Sequence, residues 1–312
     1  MKWKIIKVLI LLALGMTLGL STSGCSPDKS ESTLIKPPSQ NILPNISDNL
    51  KESDRTASKE GTAIPVNKST SPETTIPKNN STSPEILEKR SETIPVLYYH
   101  SVMVEPGNEL RIPPVQFEEQ MRYLAEKGYN VVSLDQLNKY FYEKGTLPEK
   151  PVVITFDDGY EDNYTNAYPI LTKYGLTAAV FVVTNYIQGK GFMSWEQLEE
   201  LGNKGWQIEG HTMNHPYLVK DKLNAASLKS ELIEAKDILE KRFGRPVKFF
   251  AYPFGDNNAD IVRTVKEAGY LMAFTTERGW ADRKNPMQVH RVYCFANMGI
   301  EEFARRLQNP QY

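Results

Sequence analysis

Cysteine is nearly missing from this chain: Cys25 and Cys294 are the only two in 312 residues, too few for a disulfide framework. Excess charge is missing as well. The 37 basic and 38 acidic residues leave a formal net charge of −1, without the basic surplus of a nucleic-acid binder, so no nucleic-acid partner is expected. Residues 26–93 contain no Phe, Tyr or Trp. Histidine is scarce, with four in the whole chain. One long apolar run exists, residues 5–20, and it opens the chain rather than sitting inside it.

That run follows Lys2, Lys4 and Lys7 and ends in "STSGC" at Cys25, the layout of a secretory signal, residues 1–24. It is also nearly long enough for an uncleaved membrane anchor. Ser23 and Gly24 directly before Cys25 resemble a bacterial lipobox, with Thr22 in place of the usual aliphatic residue. The resemblance implies lipidation of Cys25 and attachment to the cell membrane on its outer side. Residues 25–93 are rich in Ser, Thr, Pro, Lys and Glu, and "STSPE" occurs twice. Such a stretch buries too little apolar area to offset its chain entropy and is expected to be disordered. A coil of this length reaches on the order of 50 Å. It reads as a spacer carrying a domain from the membrane into the cell wall.

Residues 94–312 hold every aromatic residue except Trp3 and suffice for one core. Short apolar runs such as "PVLYY", "PVVITF", "AAVFVV" and "VKFFAY" alternate with helical patterns about seven times. Ser194 and Gln197 form a capping-box pattern, and Gly244 ends a long amphipathic segment begun near Asn224. Alternation of this kind predicts an α/β fold with a parallel sheet and helices outside. At this length a closed or nearly closed (β/α) barrel of about seven strands is expected, with a doubly wound open sheet as the alternative. In both, chemistry gathers where strands end.

Four strand ends carry polar groups. His100 follows "VLYY", Asp157 and Asp158 follow "VVITF", His211 and His215 follow "WQIEG", and "PFGDNN" follows "FFAY". An Asp-Asp-Gly sequence alone is commonly a turn, and a lone histidine is commonly structural. Two histidines four apart lie on one side of a helical turn, the spacing a metal needs. With one carboxylate they leave positions open on a divalent ion, as in catalytic rather than structural sites.

"TFDDGY" at Thr155 to Tyr160, "HTMNH" at His211 to His215 and "YPFG" at Tyr252 to Gly255 resemble the motifs of the polysaccharide deacetylases of carbohydrate esterase family 4, the NodB-homology domain. The similarity spans nearly the whole folded part. It implies a deformed (β/α) barrel that removes acetyl groups from N-acetylglucosamine units in polymers, using a divalent metal, most often zinc, with cobalt, nickel or manganese as other choices. By position, Asp157 matches the catalytic base. Asp158, His211 and His215 match the metal ligands, and the backbone N–H of Phe254 matches the oxyanion donor.

Two departures stand out. Ala251 occupies the place of the arginine that tunes the base, so that partner is either missing or supplied from elsewhere, with Arg291 a candidate. The acid histidine of the family is expected near the C-terminus, where only His290 stands; "VLYYH" fits better and assigns that role to His100. An early histidine of this kind resembles the circularly permuted branch that includes poly-β-1,6-N-acetylglucosamine deacetylases. Tyr252 and Trp280 are candidate sugar contacts. Two other functions remain open at this point: an O-acetyl esterase, and a glycan-binding protein on an inactive deacetylase fold.

Overall fold

The computed structural model describes residues 92–312. The expected signal segment, Cys25 and most of the spacer lie outside the described residues. Ten strands are present: β1 (Thr93–Ile94), β2 (Val96–Tyr99), β3 (Asn130–Val131), β4 (Pro151–Phe156), β5 (Ala179–Val182), β6 (Gln207–Gly210), β7 (Phe249–Ala251), β8 (Met272–Arg278), β9 (Ala281–Asp282) and β10 (Val289–Tyr293). Seven of them form a ring of parallel pairs in the order β2-β10-β8-β7-β6-β5-β4, and β4 pairs back onto β2 to close it. The structure is therefore the closed barrel, not the open sheet. Short β3 hangs on the outside of β4. The expected boundary at residue 94 shifts slightly, because Thr93 pairs with Asp282 and Ile94 with Ala281.

Both faces of the parallel strands are buried, which explains why they read as nearly continuous apolar runs. Along β4, Val152, Ile154 and Phe156 belong to the outer layer under the helices, whereas Val153 joins a separate inner cluster. Ala179, Phe181, Phe249, Ala251, Met272, Phe274 and Val289 fill that inner cluster with it. Helix α2 (Leu134–Tyr142) contributes Leu134, Leu137, Tyr140 and Phe141 to the same cluster. Its first N–H, at Leu134, donates to Gln207 Oε1 at 2.6 Å, at the start of β6. The helix thus stoppers the end of the barrel where strands begin and leaves the other end open for chemistry.

Helix α1 (Pro114–Glu126) buries Phe117, Met121 and Leu124 on one face, as the helical spacing predicts. Helix α4 (Trp195–Asn203) starts in a complete capping box, with Ser194 Oγ accepting from Gln197 N–H and the Gln197 side chain answering the Ser194 N–H. Two helical segments contain wider turns. In residues 163–167 the Tyr168 N–H bonds the Asn163 carbonyl, and in residues 230–234 the Ala235 N–H bonds the Ser230 carbonyl. Both are five-residue, π-type bonds, a geometry that recurs at functional sites. The long segment after Asn224 is thereby α5 (Ala225–Lys229), a π turn and α6 (Ala235–Phe243), closed by left-handed Gly244 at φ 63°.

Candidate active site

Strand β4 runs directly into Asp157, whose N–H still donates to the Tyr99 carbonyl at 2.9 Å. Asp158 then breaks away with φ 74°, and Gly159 follows with φ 82°. A Cβ at Gly159 would stand 3.1 Å from Val182 Cγ1, so the turn needs a glycine there for both its dihedral and its space. On the next strands, the His211 N–H donates to the Val182 carbonyl at 3.0 Å, and Thr212 and His215 adopt φ 68° and 58°. Phe254 in the turn after β7 has φ 58°. Four non-glycine residues in the left-handed region meet at one end of the barrel, each at a cost of about 1–3 kcal/mol that the surrounding contacts must offset. Strain of this kind is tolerated where it places functional groups.

Ligand atoms of Asp158, His211 and His215 lie within 4.8 Å of one another. His211 Nδ1 is 2.7 Å from the Ala251 carbonyl. A carbonyl accepts only, so Nδ1 carries the proton and Nε2 offers its lone pair. That Nε2 faces Asp158 Oδ1 at 3.3 Å, and His215 Nε2 faces the same oxygen at 3.3 Å. Asp158 Oδ1 is buried and has no hydrogen-bond donor. Lone pairs converging on a buried carboxylate oxygen repel unless a cation lies among them. The donor set, two imidazole nitrogens and a carboxylate, suits a divalent ion with positions left open. The carbonyl at His211 Nδ1 fixes the tautomer that such an ion requires.

Asp157 meets a guanidinium. Arg291 Nη1 donates to Asp157 Oδ1 at 2.8 Å and Nη2 to Oδ2 at 2.7 Å, a bidentate pair inside the barrel. Arg291 is 0% exposed and Asp157 2%. Nε of Arg291 donates to the Thr275 carbonyl at 3.0 Å, and its guanidinium lies 4.3 Å from the Tyr98 ring centroid. The adjacent acids face different surroundings: Asp157 the Arg291 guanidinium, Asp158 the imidazoles of His211 and His215. Burial pushes the Asp157 carboxyl up, but the Arg291 charge and hydrogen bonds, with His211 and His100 nearby, bring it below its ordinary value.

The resulting cleft encloses ≈ 400 Å³ and is lined by His100, Asp157, Asp158, His211, His215 and Phe254, with Tyr98, Tyr160, Tyr186, Tyr252 and Tyr293 around them. Burial lowers the His100 imidazole, and the charges of Asp157 and Asp158 partly counter this. The Phe254 ring is 49% exposed and stacks on Tyr217 at 3.8 Å, edge-on to His215 at 4.5 Å. The structure therefore brings together His100, Asp157, Asp158, His211, His215, Phe254 and Arg291. Tyr252 lies at the floor with its hydroxyl donating to the Met287 carbonyl at 2.9 Å and only 1% of its surface exposed.

Trp280 is half-buried and does not line this cleft: its indole N–H donates to the Arg306 carbonyl at 2.8 Å and its ring packs partly against the outer core beside α8 (Ile300–Arg306). His290 points out of the barrel toward Glu277, with Nε2 3.1 Å from Glu277 Oε2. Strand alternation separates it from its neighbour Arg291. Cleft residues without a motif, such as Tyr186 and Leu110, escaped the sequence reading because they stand on irregular loops.

A closed parallel barrel with an acid and two histidines gathered at its C-terminal end defines a class, and sequence comparison supplies its name. The polysaccharide deacetylase family model matches residues 144–273. YxkH of Bacillus subtilis (strain 168), by its name a polysaccharide deacetylase, is 34% identical over 72% of this chain and 79% of its own. The chain belongs to the polysaccharide deacetylase family. A poly-β-1,6-N-acetyl-D-glucosamine N-deacetylase of Staphylococcus aureus is 32% identical over 58% of this chain and 66% of its own. Among solved structures, the Streptococcus pyogenes deacetylase PplD in complex with acetate superposes with a TM-score of 0.66 at 26% identity, covering 70% of this chain and 99% of that one. His100 and Arg291 both fall outside the matched segment 144–273.

Proposed function

We propose that this chain hydrolyses the N-acetyl groups of N-acetylglucosamine units in a cell-surface polysaccharide, with a divalent cation held by Asp158, His211 and His215. Zinc is the first choice for two imidazoles and a carboxylate. The observation that carries the reading is the pair of adjacent acids with separate counter-charges: one aimed at a histidine cluster, the other clamped ionised by Arg291.

A cation in that cluster supplies Lewis acidity toward an acetyl carbonyl and toward water. Asp157, kept ionised and fixed in orientation by two hydrogen bonds, takes a proton from the attacking water. The backbone N–H of Phe254 is assigned to the developing oxyanion, a role that the left-handed turn at residue 254 would preorganise. His100 delivers a proton to the departing nitrogen. An amine needs that proton in order to leave, whereas an alkoxide leaving group needs it less. A half-buried imidazole in the cleft therefore favours an amide substrate over an O-acetyl ester. The staphylococcal relative's name makes a β-1,6-linked polymer the first candidate and peptidoglycan the second. Lipidation at Cys25 and a spacer over residues 25–93 would place the domain outside the membrane, within reach of either. Among the described residues no helix is long and apolar enough to cross a membrane.

Acetate release should be measured from β-1,6-linked N-acetylglucosamine oligomers, chitin oligomers and peptidoglycan, before and after chelation. Release that a chelator abolishes and zinc restores is the expected result. Turnover surviving exhaustive chelation would sink the cation role. Binding of oligomers without any acetate release would leave a glycan-binding protein.

A further inference from the structure

The loops that carry the imidazoles of this site are irregular and strained, so something must hold them. Residues 100–102 leave β2 and are gripped by one turn of the segment that follows β4. Asp162 Oδ2 accepts the Ser101 hydroxyl at 2.6 Å, and Oδ1 accepts the Val102 N–H at 2.7 Å. Asn163 Nδ2 donates to the His100 carbonyl at 2.7 Å, and Asn166 Nδ2 to the Val102 carbonyl at 2.8 Å. Residues 212–214, between the two histidines, are gripped in the same manner from elsewhere. Glu231 Oε2 accepts the Met213 and Asn214 N–H groups, both at 2.9 Å, and Oε1 accepts Asn214 Nδ2 at 2.7 Å. Glu231 is buried. Each carboxylate stands at a π-type turn: Asp162 immediately before residues 163–167, and Glu231 within residues 230–234.

Burying a carboxylate is costly unless its lone pairs are met. Here the buried Glu231 and the partly buried Asp162 are met largely by groups of the two loops. Hydrogen bonds to a charged acceptor are roughly twice as strong as neutral ones. They suit a segment such as residues 212–215, where left-handed Thr212 and His215 persist only if neighbours over-determine them. We infer that Asp162 and Glu231 are positioning residues, Asp162 for His100 and Glu231 for His211 and His215. This rests on the roles assigned to those histidines above.

The two halves separate by readout. In the metal-stripped full chain titrated calorimetrically with zinc, Glu231→Ala should weaken binding by about 10- to 100-fold, the usual effect of losing a group behind a metal ligand. Asp162→Ala should leave zinc affinity unchanged. If Glu231→Ala does not fold, Glu231→Gln carries the test, with a weakening of about tenfold because its amide nitrogen opposes that of Asn214. In turnover, Asp162→Ala should lower kcat by about 10- to 100-fold at constant KM, as a displaced catalytic group does. Asp162→Asn retains an oxygen for the Val102 N–H and should recover most of the rate. In a His100→Ala background, Asp162→Ala should cost nothing more, since the two act through one group. Wild-type zinc affinity in both Glu231 variants overturns the Glu231 half. Additive losses with His100→Ala, or a rise in KM alongside the fall in kcat, overturn the Asp162 half. A near-normal rate for His100→Ala overturns the acid assignment and the Asp162 half with it, while the zinc titration still decides Glu231.

Discussion

Removing the Arg291 side chain tests the centre of this site more sharply than removing Asp157, the proposed base. Arg291→Met keeps most of the volume and deletes the charge. Its guanidinium touches both oxygens of Asp157 at 2.7–2.8 Å, and neither residue is exposed to more than a trace of water. With charge centres ~4 Å apart and an effective dielectric constant of ~20, the Coulomb attraction is about 4 kcal/mol. That agrees with the roughly 3–5 kcal/mol lost when one partner of a buried pair is removed. Asp157→Asn alone strands the arginine and should also cost several kcal/mol. The double variant strands nothing, so its loss should be well below the sum. Urea unfolding of the four proteins, followed by tryptophan fluorescence in the presence of a chelator, gives the coupling energy directly. A coupling of about 2 kcal/mol or more is expected. A value under about 0.5 kcal/mol, with the two losses simply adding, would refute the claim that the pair is held ionised in a dry interior. Acetate release should be lost in all three variants, because each removes either the base or what orients it.

Gly255→Ala should destabilise by more than about 1 kcal/mol, because the glycine sits at φ +69° and an added Cβ would fall 2.2 Å from Thr276 Oγ1; a thermal melt within a degree of wild type would contradict it. Cys294 is buried and its thiol is pushed up to about 12 by burial, so iodoacetamide should label it only as fast as the barrel opens. Rapid labelling under native conditions would count against the packing beneath β10. Glu302 is pulled down to about 2, first by its hydrogen bonds from Arg305 and Arg306. Its folded value lies below its ordinary one, so its contribution to stability is complete above about 4.5 and fades as pH falls toward 2. Glu302→Gln should therefore flatten the acid limb of the stability profile; an unchanged limb between those values would refute it.

Much of the barrel was legible because parallel strands buried on both faces leave apolar runs that no surface strand produces. The Ser194–Gln197 box was legible because capping depends on two side chains at a fixed offset. Arg291 was visible only as a candidate. Strand alternation places Val289, Arg291 and Tyr293 on one face and His290 on the other, but which face looks inward depends on closure with β2. The π turns were invisible, since a single widened turn barely disturbs an apolar period of 3.6. Asp162 stood in plain sight behind "DDGYE" yet carries no motif of its own. Glu231 gave no signal at all, because its partners lie 17 and 18 residues away in a loop that only the fold brings near. Trp280 drew notice as a loop tryptophan beside charged residues, but its bond to the Arg306 carbonyl could not be read from the sequence.

The position of Arg291 has a consequence for when the chain becomes an enzyme. Asp157 and the histidine cluster are contributed by β4 and β6, whereas the base's counter-charge arrives on β10, the last strand described and the one that zips β8 to β2. Until that strand docks, Asp157 has no partner and its carboxylate has every reason to take a proton or turn to water. On the role proposed for Asp157, hydrolytic competence is tied to completion of the ring: a partly assembled or clipped domain can hold the cluster residues yet leave Asp157 without its counter-charge.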